Sequence, residues 1–327
     1  MSAIVACMFL GACSSSSNTK SDSAIEESAV QGAEAVNVER LDTILLHYPS
    51  MSAQERQDVL SNWPQLNVLM QMINAGDTAT DATVGAFASS NIVKMFGPAA
   101  VSAFKGDIEA INAKGHETLD QLGIKVPELV GVTLPYQQSV IFSGDSLAFI
   151  SLNHWLGANH EAYKGFPEYI KRLKTPERLP IDIAEALVAN AYPYNPGTNA
   201  TVLSRLLYEG ALVEAVMQVA QVDEATMLGL TKDEYERAKS GERYAWETLV
   251  TKKMLYDTDP QLQERLTQPS PATGILSPDL PGRMGRFIGH QLVKSLLKNE
   301  PSIITSDLLS PTIYTSQETL AKAKYVP

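Results

Sequence analysis

Leu203-Ser204-Arg205-Leu206-Leu207-Tyr208-Glu209-Gly210-Ala211-Leu212-Val213-Glu214 lies within residues 201–220, a stretch with no proline and a single glycine. Apolar residues fall on nearly every face of it, which predicts a long helix buried in the core. Gly210 is the informative exception. A glycine inside a helix costs roughly 1 kcal/mol relative to alanine. Its presence predicts that another backbone, from a hairpin or a second helix, approaches closely at that point.

The same stretch holds the frame Tyr208-Glu209-Gly210-Ala211-Leu212. A zinc-peptidase helix carries His-Glu-x-x-His, in which two imidazoles on one face grip the metal and the glutamate activates water. Here the glutamate is present, and both histidine positions are lost, to Tyr208 and Leu212. Neither side chain replaces an imidazole ligand at neutral pH. Glu209 has two readings: an ion pair with Arg205, one turn earlier on the same face, or a buried role inherited from a metal site.

Near the other end, Pro281-Gly282-Arg283-Met284-Gly285-Arg286-Phe287-Ile288-Gly289-His290-Gln291 opens a helix over residues 282–297. Gly285 and Gly289 share one smooth face, which favours close helix packing over ligand binding. Arg283 and Arg286 then fall in the first turn, where the helix dipole disfavours cations. They need acidic partners from elsewhere or a ligand, and Glu209 is the candidate partner if the two helices pack.

Between these helices and the N-terminus, residues 139–143 and 146–152 are rich in Val, Ile and Phe, with Gly144-Asp145 between them, and predict a β-hairpin. Its second strand runs into Asn153-His154. Capping-box sequences at Ser52-Ala53-Gln54-Glu55 and Thr231-Lys232-Asp233-Glu234 start helices. Further helices are expected over residues 64–75 with Gly76 as the stop, and over 81–95, 98–113, 166–174, 180–191 and 231–255. Thr315-Ser316-Gln317-Glu318 opens a short terminal one. Pro260, Pro269, Pro271, Pro278 and Pro281 mark a surface loop region. The sum is an α+β fold: one mainly helical domain with a small antiparallel β-sheet.

Composition excludes several functions. A net charge of −11 argues against nucleic acid, whose phosphates need a basic face. It argues equally against electrostatic adhesion to anionic lipid headgroups. His47, His116, His154, His160 and His290 are scattered, so no metal site and no cofactor is expected. No Gly-rich phosphate loop and no Gly-x-Ser-x-Gly elbow stands out.

The first residues address location. An apolar run (Ile4, Val5, Ala6, Met8, Phe9, Leu10) leads into Gly11-Ala12-Cys13 and then Ser14 to Ser17, the layout of a bacterial lipoprotein signal. The run is too short to span a bilayer, which takes roughly 20 residues, and reads as a signal core that is removed. No Lys or Arg precedes it, a departure from the usual basic start. Cys13 would carry a diacylglyceride and anchor the protein to a membrane, two or three acyl chains holding firmly. The only other cysteine, Cys7, lies in the part removed, so no disulfide and no thiol nucleophile is expected. The expected organisation is a signal peptide at 1–12, a lipidated cysteine and flexible tether at 13–35, and a globular domain at 36–327.

Several stretches resemble the gliding-motility lipoprotein GldB family. They are Ile150-Ser151-Leu152-Asn153-His154-Trp155-Leu156-Gly157, Phe166-Pro167-Glu168-Tyr169-Ile170, Pro176-Glu177 and Leu179-Pro180-Ile181-Asp182. Tyr208-Glu209-Gly210, Leu255-Tyr256-Asp257-Thr258-Asp259-Pro260 and Pro281-Gly282-Arg283 through Gln291 continue the series in family order. The resemblance implies a cell-envelope lipoprotein of Bacteroidota, and the outer membrane is the expectation ahead of the inner. It also implies a domain similar to a gluzincin-type zinc peptidase that has lost its ligands. It supplies no catalytic residues. Tyr208, Glu209, Gly210, Asn153, His154, Arg283 and Arg286 are the candidate cleft or binding residues.

Three roles compete. The first is a non-enzymatic envelope component that binds a partner protein or extended peptide, with the strand at 147–152 as a hairpin edge that a peptide extends. The second is a structural part of a motility or secretion apparatus. The third is a metal-dependent hydrolase with a non-standard site around Glu209.

Overall fold

A computed structural model describes residues 33–73 and 78–327. The chain opens with β1 (Val36–Val38), α1 (Leu41–His47), α2 (Ala53–Asn62), α3 (Gln65–Ile73), α4 (Asp81–Ala88) and α5 (Asn91–Ala103). Then come β2 (Ile108–Ile111), α6 (Ala113–Gln121), β3 (Glu128–Val132), β4 (Val140–Ser143) and β5 (Leu147–Ser151). The remainder is helical: α7 (Glu168–Lys171), α8 (Leu179–Ala191), α9 (Val202–Ala220), α10 (Glu224–Leu228), α11 (Lys232–Ser240) and α12 (Glu242–Thr251). It closes with α13 (Pro260–Thr267), α14 (Met284–Asn299), α15 (Thr305–Leu308), α16 (Pro311–Tyr314) and α17 (Gln317–Ala323). The class is α+β, as the residue pattern implies. The signal, Cys7, Cys13 and most of the tether lie outside the described residues, as does the Gly76 stop.

The expected hairpin is present: β4 and β5 pair antiparallel, Val140 opposite Ile150 and Ser143 opposite Leu147. The sheet differs from the expectation in one respect that matters. β3 pairs with β5 in parallel, giving the order β3-β5-β4, so residues 147–151 form the central strand and not an edge. A separate antiparallel pair joins β1 to β2. Every residue of β5 is buried, which is what a strand covered on both faces requires. Alternation divides the sheet's side chains between two cores. Val130, Val132, Leu147 and Phe149 pack with α1, α3 and α4 residues such as Leu41, Leu69 and Phe87. Leu129, Ala148 and Ile150 pack into the larger core built on α8, α9 and α14.

Four helix expectations are corrected. Residues 81–95 split at Ser89-Ser90, and α5 begins at Asn91 with Ser90 at its N-cap position. Pro98 sits inside α5 and does not start a helix. It removes one backbone bond to Lys94, whose exposed position leaves that carbonyl to water. Beyond Phe104 the chain turns through Gly106, with φ of +75°, into β2 where helix was expected. Residues 231–255 divide at Gly241 into α11 and α12, and the Leu280 side chain packs against this glycine. The helix expected over 166–174 shrinks to α7, since Thr175 is held extended ahead of Pro176. Pro260, assigned to a loop, is the first residue of α13, where its missing N–H costs nothing.

The decisive packing is α9 against α14. Gly210 meets Gly289: a Cβ on Gly210 would fall 2.2 Å from the Gly289 carbonyl oxygen, and one on Gly289 would fall 1.9 Å from the Leu206 carbonyl oxygen. The close approach expected at Gly210 is therefore helix on helix. Gly289→Ala is expected to destabilise the protein by about 2 kcal/mol or more, because backbone cannot yield as a side chain can. Gly165→Ala, with open space around its Cβ, should change stability by less than about 0.5 kcal/mol. Equilibrium denaturation of the two variants measures the difference.

Candidate functional site

The seven cleft candidates fall into two places. Tyr208, Glu209, Gly210, Arg283 and Arg286 gather at the α9–α14 crossing. Asn153 and His154 line a different cavity beyond the end of β5.

At the crossing, Glu209 is buried and held from two sides. Arg205 Nη2 lies 2.5 Å from Oε1, and Arg286 Nε lies 2.9 Å from Oε2. The Arg205 pair and the pairing with Arg286 across the two helices are thus present together. Arg286 also reaches Glu185 on α8, at 2.9 Å. Burial pushes the Glu185 carboxyl up, yet Arg286, Arg283 and Arg178 outweigh it and hold it below the usual carboxylate range. For Arg286 the same carboxylates, Glu185 and Glu209, outweigh burial and raise it.

Tyr208 is placed as a structural phenol. Its hydroxyl donates to the Tyr192 carbonyl at 2.9 Å, and its ring packs with Tyr194 and Tyr314 at centroid distances of 5.1 and 5.5 Å. Burial, and then the charge of Glu209, push it up to about 12. Leu212 is buried in the core. The helical frame therefore presents one carboxylate already taken by two guanidiniums. A cavity of about 290 Å³ opens over Glu185, Arg205, Tyr208, Glu209, Arg283 and Arg286.

Arg283 differs from its expected place. α14 starts at Met284, so Arg283 precedes the first turn in a left-handed conformation, with φ of +62°. Its Nη1 donates to the Leu228 carbonyl at 2.9 Å. Burial, with the repulsion of Arg286, lowers it to about 10. Arg178, which sequence reasoning passed over, completes the group. It is buried, binds Asp182 through Nε at 2.8 Å and donates to the carbonyls of Thr226 and Met227.

A second buried cluster lies one helical turn along from the crossing. His290 Nδ1 is 2.5 Å from Glu224 Oε1, and Nε2 is 2.8 Å from Glu214 Oε2. Both ring nitrogens face carboxylate oxygens, so both carry hydrogens and the ring is an imidazolium. Glu224 also accepts from Tyr235 and Gln291. Burial pushes His290 down, but the bonds and charges of Glu214 and Glu224 outweigh it and leave it above its ordinary value. Sequence reasoning treated His290 as one of several scattered histidines. The available signal was its position beside Gly289, which carries it toward Glu214 once Gly210 and Gly289 meet.

Asn153 has a scaffold role. Its amide pairs with the Leu134 backbone, Oδ1 accepting from the amide N–H at 3.0 Å and Nδ2 donating to the carbonyl at 3.1 Å. Oδ1 also accepts from Ser151. His154 stands beside Lys174 in the neighbouring cavity. Among the described residues no group of three or more His, Cys, Asp or Glu is placed to hold a metal ion, and no helix is long and apolar enough to cross a membrane.

With this geometry in place, the comparison with known families is specific. The family described as "Gliding motility protein GldB" matches residues 19–327. The chain belongs to the GldB family. Membership makes it a gliding-motility-associated protein. No curated protein and no solved structure matches it.

The His290 cluster gives this GldB-family chain a defined pH response. A raised imidazole stabilises the fold fully below its unfolded value, near 6.5, and that contribution is lost as pH rises through the folded value. Glu214 is held low, first by its bond to His290. Glu224 is held low because the bonds and charge it receives outweigh burial. Their contribution is lost as pH falls below the ordinary carboxylate range. The melting temperature is expected to decline as pH is raised from about 6.5, and His290→Gln should flatten that slope. Thermal scans across pH of both proteins check it.

Proposed function

We propose that the protein is a cell-envelope lipoprotein, tethered through Cys13, that serves gliding motility or an associated secretion machinery by binding a partner protein or extended peptide and not by catalysis. The observation that carries the non-catalytic part is the clamp on Glu209. A general base must keep an oxygen free for the proton that it takes. Here Arg205 and Arg286 are each ion-paired to one of its two oxygens, and the two ligand positions of the peptidase frame hold Tyr208 and Leu212. Family membership supports the envelope and motility setting. The outer membrane is the favoured location, and no nucleic acid or cofactor takes part.

The peptide route differs from the one that the sequence suggests. β5 is covered on both sides by β3 and β4. The outer side of β3 is itself bridged by Glu39, whose backbone bonds to Leu129 and Gly131. Within the three-stranded sheet, among the described residues, β4 is the side left without a further pairing, so an added peptide strand would pair there.

Two measurements test this. Cys13→Ala should move the protein from the membrane to the soluble fraction and abolish its contribution to motility, and its retention in washed membranes would refute the tether. Glu209→Gln should lower stability by about 3 kcal/mol, since it leaves buried cations short of a partner. Bound zinc at one equivalent, with peptide cleavage lost in a Glu209→Gln protein of unchanged stability, would establish the hydrolase instead.

A further inference from the structure

A cavity with four aromatic side chains in its wall is separate from the α9–α14 crossing. It encloses about 660 Å³ and is walled by Ile92, Phe96, Leu134, Tyr136, Tyr163 and Phe166, with Lys174 and His154 as its charged and titratable groups. That volume suits a small molecule or the end of a peptide. Phe166 stands at 46% exposure, and its ring stacks on Tyr163 at 6.1 Å.

The loop after β5 builds the wall rigidly. The Tyr163 hydroxyl donates to the Asn153 carbonyl at 2.6 Å and accepts from the Leu156 N–H at 3.1 Å. The Gly157 N–H donates to the Lys174 carbonyl at 2.9 Å, which fixes the lysine backbone to the same loop. His154 Nε2 lies 3.1 Å from the Tyr136 carbonyl, so Nε2 carries the hydrogen. Nδ1 is then a lone pair, and Lys174 Nζ donates to it at 3.2 Å. The ring is neutral, held below its ordinary value by burial and by the charge of Lys174.

Lys174 is half-buried, yet among the described residues no carboxylate lies within ion-pair distance of its ammonium. The nearest acidic influence, Asp182, has its oxygens on Arg178 Nε at 2.8 Å and Trp155 Nε1 at 2.9 Å. Burial lowers Lys174 from its ordinary value. A half-buried cation without a counter-ion, in an apolar cavity, is costly unless something anionic completes it. His154 uses one of the three ammonium N–H groups and leaves two.

We propose that this cavity binds a molecule with an aromatic or aliphatic body ending in a single carboxylate, whose oxygens take the two Lys174 N–H groups that His154 leaves free. One cation matches one negative charge. A phosphate would set nearly two charges against it in an apolar setting, with no arginine among the residues that line the cavity. The carboxylate has two sources, a free small acid or the C-terminus of a chain ending in an apolar residue. This site is independent of the Cys13 tether and of the Glu209 clamp.

The test is calorimetric titration of the lipidated full chain in bilayer nanodiscs with 3-phenylpropanoate and with acetyl-Ala-Ala-Phe. Each is compared with its own amide, and phenyl phosphate is a further probe. At least one acid should bind, with its amide weaker by about tenfold or more. Lys174→Met should abolish the preference for acid over amide, and Lys174→Arg should keep it. If Lys174→Met fails to fold, the acid–amide pair on the native chain decides. Tighter binding of the tripeptide acid assigns a peptide end, and equal or tighter binding of phenylpropanoate assigns a free acid. Failure of both acids to bind, amides that match their acids, phenyl phosphate that matches them, or a folded Lys174→Met protein with its preference intact would each overturn the proposal.

Discussion

The contact of Gly210 with Gly289 governs this structure. With no Cβ on either side, the backbones of α9 and α14 meet at a distance that no other residue pair permits. The pairings of side chains within about one turn of each glycine follow from it. Glu209 is brought to Arg286 on one flank, and Glu214 is brought to His290 on the other. α8 and α10 then add Glu185 and Glu224 to complete the two charge clusters.

Burying so many ionised groups has a thermodynamic logic that cuts both ways. Removing charges from water is costly, and their mutual attraction repays it only with good geometry and full hydrogen bonding. Arg286 also sits near the positive end of the α14 dipole, an unfavourable place for a cation, so Glu185 and Glu209 must offset two penalties. The return is orientation. A Leu-rich interface between two helices can slide by a turn, whereas an interface pinned by two glycines and two ion clusters has one register.

Much of this was legible in the chain itself, and for identifiable reasons. The odd placement of Gly210 inside an apolar helix, and of Arg286 in a first turn, pointed to a close helix pair and to acidic partners. The Glu209–Arg286 pairing followed from those two anomalies. The hairpin at β4–β5 was readable from β-branched residues around Gly144-Asp145. The parallel addition of β3 was not, because its partner is chosen by tertiary packing and Gly131 reads poorly as strand. Nor was Lys174 beside His154 legible: Lys174 read as the last residue of a helix, and only the folded chain after α7 places the two together. The turn at Gly106 that leads from α5 into β2 was missed because an isolated glycine in an apolar stretch reads as helix interior as easily as turn.

β1 has a mechanical meaning. It is a three-residue strand, joined to β2 along one side and to β3 through the adjoining Glu39. Any force that reaches the body from residues before Ala33 arrives through this strand, ahead of every helix. Only a few backbone hydrogen bonds resist it there, whereas the α9–α14 crossing lies far along the chain and is locked by packing and charge. Under tension, β1 is the part that peels first, and it yields as a local event while the crossing stays intact. A pull from before Ala33 would therefore load β1 first and the α9–α14 crossing only after it.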